Sequence, residues 1–256
     1  MLDRAGIKSQ AKDIMRGARV SPYLITLLLL AITFVLNKLV EMAEYGTPFY
    51  SASFMSRYLD AMTSGDFSTL DSLLDTVMES LTAGVFFFST LVSLFTIVLN
   101  GGYYIYCMGI RQGQRMSCAS LADGLGVAGK LIWCWIQVSV RTFLWSMLFV
   151  IPGIVAAYRY RFAYYNILTD DSLSASAAIR LSCQQTQGVK GQLFILDLSF
   201  IGWSILSNIT MGILNIWLTP YMTLCDLAYF EDAQLRLGRS PYGAPVPPPP
   251  GQDPWL

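Results

Sequence analysis

Apolar runs as long as a bilayer is thick set the limits on what this chain can fold into. Pro22 to Val40 (PYLITLLLLAITFVLNKLV) follows directly on a basic segment, and Ala83 to Ile110, Leu131 to Ile151 and Leu193 to Leu218 are of comparable length. A hydrocarbon core of about 30 Å is crossed by about 20 mostly apolar helical residues. The expected fold class is therefore all-α, a polytopic transmembrane helix bundle. Only 13% of the residues are charged and 54% are hydrophobic, with mean hydropathy +0.48. A soluble domain carries about 25% charged residues, so the composition argues against one.

The 17 basic and 17 acidic residues cancel, but they are segregated. Arg4, Lys8, Lys12, Arg16 and Arg19 precede the first apolar run, while Glu41, Glu44, Asp60, Asp66, Asp71, Asp75 and Glu79 follow it with Arg57 between them. By the positive-inside rule the N-terminus is cytoplasmic and segment 41–81 is external. The basic region is long and no small-x-small site follows promptly, so the first run is expected to remain as an anchor rather than to be a cleaved signal.

The later charges give the span count. With external turns at Pro152-Gly153 and at Asn208 to Gly212, the chain makes about six spans, with Arg111, Arg115 and Lys130 in one inner loop, Arg180 and Lys190 in the next, and Arg236 and Arg239 in an inner tail. Four spans are the alternative, but they leave Arg159, Arg161, Arg180 and Lys190 outside against the orientation rule. Both termini are then cytoplasmic in a multi-pass protein of the plasma membrane.

Between the spans the periodicity is amphipathic. Residues 1–21 hold a helix with Ile7, Ala11, Ile14, Met15 and Ala18 on one side and basic residues on the others, expected to lie in the inner headgroup layer. In the external acidic loop, Ser68 to Leu81 sets Leu70, Leu73, Leu74, Val77, Met78 and Leu81 opposite Asp71, Asp75 and Glu79. A short helix capped by Ser172 or Ser174 is expected to run to about Gln185 and to end at Gly188. The membrane domain covers 22–232. Residues 233–256, rich in proline, are expected to form a disordered cytoplasmic tail.

Histidine is absent, which removes the commonest general base and metal ligand. Cys107, Cys118, Cys134, Cys183 and Cys225 show no paired spacing and are read as packing residues. No phosphate-binding glycine loop, nucleophile elbow or metal motif is present, and the acidic stripe lacks the turn of a calcium loop. No catalytic residue, metal or cofactor is therefore expected, and no nucleic-acid partner; the expected partners are the lipid bilayer and other membrane proteins.

A few polar positions remain. Arg141 falls near the middle of the third run, where a guanidinium facing lipid costs about 2.5 to 3.5 kcal/mol even on the most lenient scale. Together with Arg159, Arg161, Asp197 and Asp226 it forms a candidate polar cluster in the inner half of the bundle, with Asp197 as the expected partner of Arg141. The cluster reads either as a site for a lipid headgroup or other anion, or as an ion-pair network that fixes helix packing. Gly101, Gly102, Pro152 and Gly153 read as hinges or as points of close helix contact. The indoles of Trp133, Trp135, Trp145, Trp203 and Trp217 read as an interfacial belt.

From Ile151 onward the chain resembles the bacterial membrane-protein family catalogued as domain of unknown function 975. The resemblance is carried by Ile151-Pro152-Gly153-Ile154, Tyr160, Tyr164-Tyr165, Asp170, Ala178-Ile179 with Ser182, Gly188 with Lys190, the run LFILDLSFIGWSIL (Leu193 to Leu206), Thr210 with Gly212-Ile213, and Trp217 with Pro220-Tyr221. Lys8, Ala11 and Lys12 fit as well; Ala177 replaces the acidic residue that often precedes the Ala-Ile pair. The resemblance implies a polytopic membrane protein and brings no established activity. The expected function is a non-enzymatic scaffold, assembly or envelope-homeostasis factor, with a small transporter or exporter subunit as the alternative.

Overall fold

A computed structural model of the chain describes residues 3–18, 20–45, 52–80 and 83–243. In chain order the helices are α1 (Arg4–Gly17), α2 (Pro22–Tyr45), α3 (Ala52–Ser64), α4 (Phe67–Ser80), α5 (Ala83–Arg111), α6 (Ser120–Asp123), α7 (Ala128–Leu148), α8 (Val150–Tyr160), α9 (Ala163–Thr169), α10 (Ala175–Gln185), α11 (Lys190–Leu198), α12 (Ile201–Ile209) and α13 (Asn215–Arg236). No strand occurs among the described residues. Four segments are long and apolar enough to cross a membrane: Pro22–Ala43, Gly84–Arg111, Ser120–Leu148 and Lys190–Ile209. The expected fourth span is split instead into α8 and α9. Residues 244–256, most of the proline-rich tail, lie outside the described residues, and the part from 233 is helical to Arg236.

The chain divides into two compact units, Leu30–Thr96 and the remainder, with α2 and α5 contributing to both. In the smaller unit α3 and α4 form a helical hairpin that buries Phe54, Ala61 and Leu73. Gly65 adopts φ +70°, the left-handed conformation that lets the amide of Asp66 reach back to Ala61 O and close the end of α3. Asp66 then caps α4 by accepting the Ser68 and Thr69 amides at 3.1 and 3.2 Å. The acidic helix expected from Ser68 onward is this α4.

The larger unit is ordered by helix ends as much as by faces. α1 is capped by Asp3, which accepts the amides of Ala5 and Gly6. Its stripe of Ile7, Ala11 and Met15 is buried, and the helix packs on α13. The apolar face expected to rest on lipid is thus largely taken up by protein, because α1 packs along α13.

The turn after α7 falls at Phe149, whose extended backbone (φ −162°, ψ 153°) separates α7 from α8. Pro152 and Gly153, expected to form that turn, lie in the first turn of α8, where a proline loses no helical hydrogen bond. Gly153 serves the hairpin differently: a Cβ there would lie 2.9 Å from Ser146 Cα, so its lack of a side chain lets α8 close on α7. The second hairpin turn follows α12. Met211 takes a left-handed conformation and the Gly212 amide returns to Ser207 O at 2.8 Å. Ser207 Oγ then donates to Asn215 Oδ1 at 2.7 Å, tying α12 to the start of α13.

Candidate functional site

The site is built on the break between α8 and α9. Ser182 of α10 spans that break with one hydroxyl, accepting the Phe162 amide at 3.1 Å and donating to Arg159 O at 2.9 Å. It satisfies two backbone groups that the interrupted helix leaves open. The ending of α8 at Tyr160 aims the next side chain, Arg161, between α11 and α13.

There Arg161 takes two carboxylates at once. Its Nη1 donates to Asp197 Oδ2 at 2.5 Å and its Nη2 to Asp197 Oδ1 at 2.9 Å. Nε reaches Asp226 Oδ2 at 3.1 Å, and Nη2 reaches both Asp226 oxygens at 2.8 Å. The Tyr158 hydroxyl donates to Asp197 Oδ2 at 2.8 Å, and the guanidinium lies 5.6 Å from the Tyr158 ring centre. Side-chain exposures are 21, 29 and 14% for Arg161, Asp197 and Asp226, so this is a mostly enclosed triad. Only the planar fork of arginine serves two carboxylates in this manner. The three groups are occupied with one another and tie the break between α8 and α9 to α11 and α13.

Of the five residues expected to cluster, the fold brings these three together. Arg141 makes no ion pair among the described residues, and its Nη1 is buried without a hydrogen-bond partner. Asp197, its expected partner, is taken by Arg161, because α8 folds back along α7 and delivers the second arginine to α11. Arg159 is exposed and contributes its backbone carbonyl.

The glycine pair lies elsewhere. α5 runs unbroken through Gly101 and Gly102, and a Cβ on Gly102 would come within 2.1 Å of Leu121 O. One on Gly101 would come within 2.5 Å of Leu131 Cδ1. Both glycines therefore act as contact points for the segment Ser120–Leu131.

Two further polar groupings lack a clear signal in the sequence. Asn166 and Gln185, both buried, exchange amide hydrogen bonds of 2.9 Å in each direction, and Gln234 Nε2 adds a third at 3.3 Å to Asn166 Oδ1. Arg111 pairs with Glu231 through Nε at 2.5 Å and donates to Leu224 O at 3.3 Å, so the end of α5 is pinned to α13. Asn166 is the one amide in the aromatic stretch from Tyr158 to Leu168. Beyond the triad, in the turn after α9, Asp170 is held below its ordinary carboxylate range by the Ser172 hydroxyl first and by Arg239 as a further cause.

The fold and the triad define an all-helical protein with four helical segments able to cross a membrane and a partly enclosed arginine–aspartate tie. The chain belongs to the family described as "Protein of unknown function (DUF975)", which matches residues 1–236. No curated protein and no solved structure matches it.

Proposed function

We propose that this DUF975 protein is a multi-pass protein of a bacterial plasma membrane, with about six spans and both termini in the cytoplasm. It works without catalysis, as a scaffold, assembly or envelope-homeostasis factor that contacts lipids and partner membrane proteins. The orientation draws on charge: the turns at Phe149 and 210–214 carry none, whereas Lys130 lies in the first turn of α7, Lys190 starts α11, Arg236 ends α13, and Arg111 ends α5.

The observation that carries the functional reading is the mutual satisfaction of Arg161, Asp197 and Asp226. A group of charges already bonded to one another locks helix positions and leaves little to offer a passing solute. Meanwhile Val140, Phe143, Leu144 and Met147 of α7 and Ile205 and Ile209 of α12 present large apolar surfaces outward. Such faces suit lipid tails or the helices of another membrane protein.

The test is crosslinking in native membranes followed by capture and mass spectrometry, paired with flux measurements on purified protein in sealed vesicles. A single partner in fixed ratio, with vesicles no leakier than protein-free ones, is the expected result. Saturable movement of a solute across the vesicle wall would replace the scaffold reading with a transport one.

A further inference from the structure

We propose that the groove between α1 and the α11–α13 segment binds the phosphate headgroup of an anionic phospholipid from the inner leaflet; the inference rests on the membrane placement above. The groove encloses about 530 Å³, inside the range of roughly 300–1,000 Å³ typical of small-ligand sites.

One wall is cationic. The α1 stripe that packs on α13 is Ile7, Ala11 and Met15; the stripe one residue on, Lys8, Lys12 and Arg16, repeats at the same four-residue interval and lines the groove. None of these three cations forms an ion pair among the described residues, and no carboxylate lines the groove. Lys8 is already positioned, its Nζ 2.8 Å from Ser199 Oγ and 4.6 Å from the centre of the Phe200 ring. Lys12 Nζ stands 5.9 Å from the Tyr221 ring centre. An ammonium over a ring keeps its charge available, because the ring supplies no counter-charge.

The other wall is aromatic and apolar. Trp203 and Trp217 line it and are 58 and 51% exposed. Tyr23, in the first turn of α2, lies 6.3 Å from Trp217 between ring centres. That contact fixes the groove at the end of α2 that follows the basic segment, where the candidate span begins. Three uncompensated cations facing two half-exposed indoles at such a boundary match a molecule with an anionic head and hydrocarbon tails. A free phosphate ion would use the first wall and waste the second.

Native mass spectrometry of the purified full chain in detergent, titrated with phosphatidylglycerol or phosphatidylcholine of the same acyl chains, tests this. The expected result is at least tenfold preferential retention of phosphatidylglycerol. Each cation removed, as in K8Q, K12Q or R16Q, should weaken retention by about fivefold. The triple variant is compared at equal elution volume and melting temperature; if it does not fold, the single variants carry the test. Equal retention of the two lipids overturns the proposal, as does displacement of phosphatidylglycerol by millimolar inorganic phosphate, which would identify a soluble-anion site. Retention unchanged in every variant that folds also overturns it. The wider reading fails separately: it falls if carbonate washing strips the protein from native membranes, whereas a protein that resists stripping but shows no lipid preference disproves the groove alone.

Discussion

Arg161 holds Asp197 through two bonds, of 2.5 and 2.9 Å, across a separation of 36 residues, and the same guanidinium reaches Asp226 on a third helix. Removing it strands two enclosed carboxylates. Arg161→Leu should destabilise the protein by about 3 kcal/mol, the lower end of the range for a broken buried pair because the group is partly open to solvent. Arg161→Lys should recover only part of this, since an ammonium cannot serve both carboxylates. Arg141→Leu should leave stability unchanged or raise it, as it removes a buried nitrogen without a partner. Melting temperatures in detergent check all three, and an Arg141→Leu loss as large as that of Arg161→Leu would refute the assignment.

Close contact at α5 makes a second prediction. Gly102→Ala pushes a methyl into the Leu121 backbone, which cannot swing aside as a side chain can, and should cost about 1–3 kcal/mol. Gly126→Ala meets no atom within 4 Å and should be near neutral. Chemical denaturation of the two variants in one detergent separates a packing role from general intolerance of glycine loss.

Topology can be read by labelling. With the native cysteines replaced, single cysteines at Ser64 and Phe149 should react with a membrane-impermeant thiol reagent in intact cells. Cysteines at Gln187 and Gly243 should react only after the membrane is opened. Labelling of Gln187 from outside would favour four spans.

Acid should loosen the start of α4. Asp66 is held down to about 2, from an ordinary 3.8, chiefly by the Ser68 hydroxyl and then by Thr69. A depressed carboxyl stabilises the fold at pH above its unfolded value and loses that contribution as pH falls through about 4 to about 2. Far-UV circular dichroism of the wild type should therefore show helix loss across that window. Asp66→Asn should begin with less helix and change less there.

How much of this was legible in the sequence depends on distance along the chain. The stripe Ile7, Ala11, Met15 and the acidic helix from Ser68 onward are local patterns, and both were readable from spacing, whereas the caps Asp3 and Asp66 emerge only in the structure. The choice of Arg161 over Arg141 as the partner of Asp197 was not, because it turns on where α7 ends. The letters Ile151-Pro152-Gly153 suit a turn and a helical first turn equally well. The extended backbone of Phe149, which starts α8 at Val150, distinguishes the two. The Asn166–Gln185–Gln234 network joins amides 19 and 68 positions apart, and no spacing rule announces a contact set by the meeting of three helices.

The tie between Arg161 and Asp226 also sets an order of events at the ribosome. Asp226 is synthesised 65 residues after Arg161, so the hairpin of α7 and α8 emerges well before its last counter-charge exists. Until α13 arrives, the guanidinium has Asp197 at most, and α8, with eleven residues, is only about 16 Å long. The tie is therefore completed only late in synthesis, and a chain arrested short of residue 226 is left with its arginine half-neutralised.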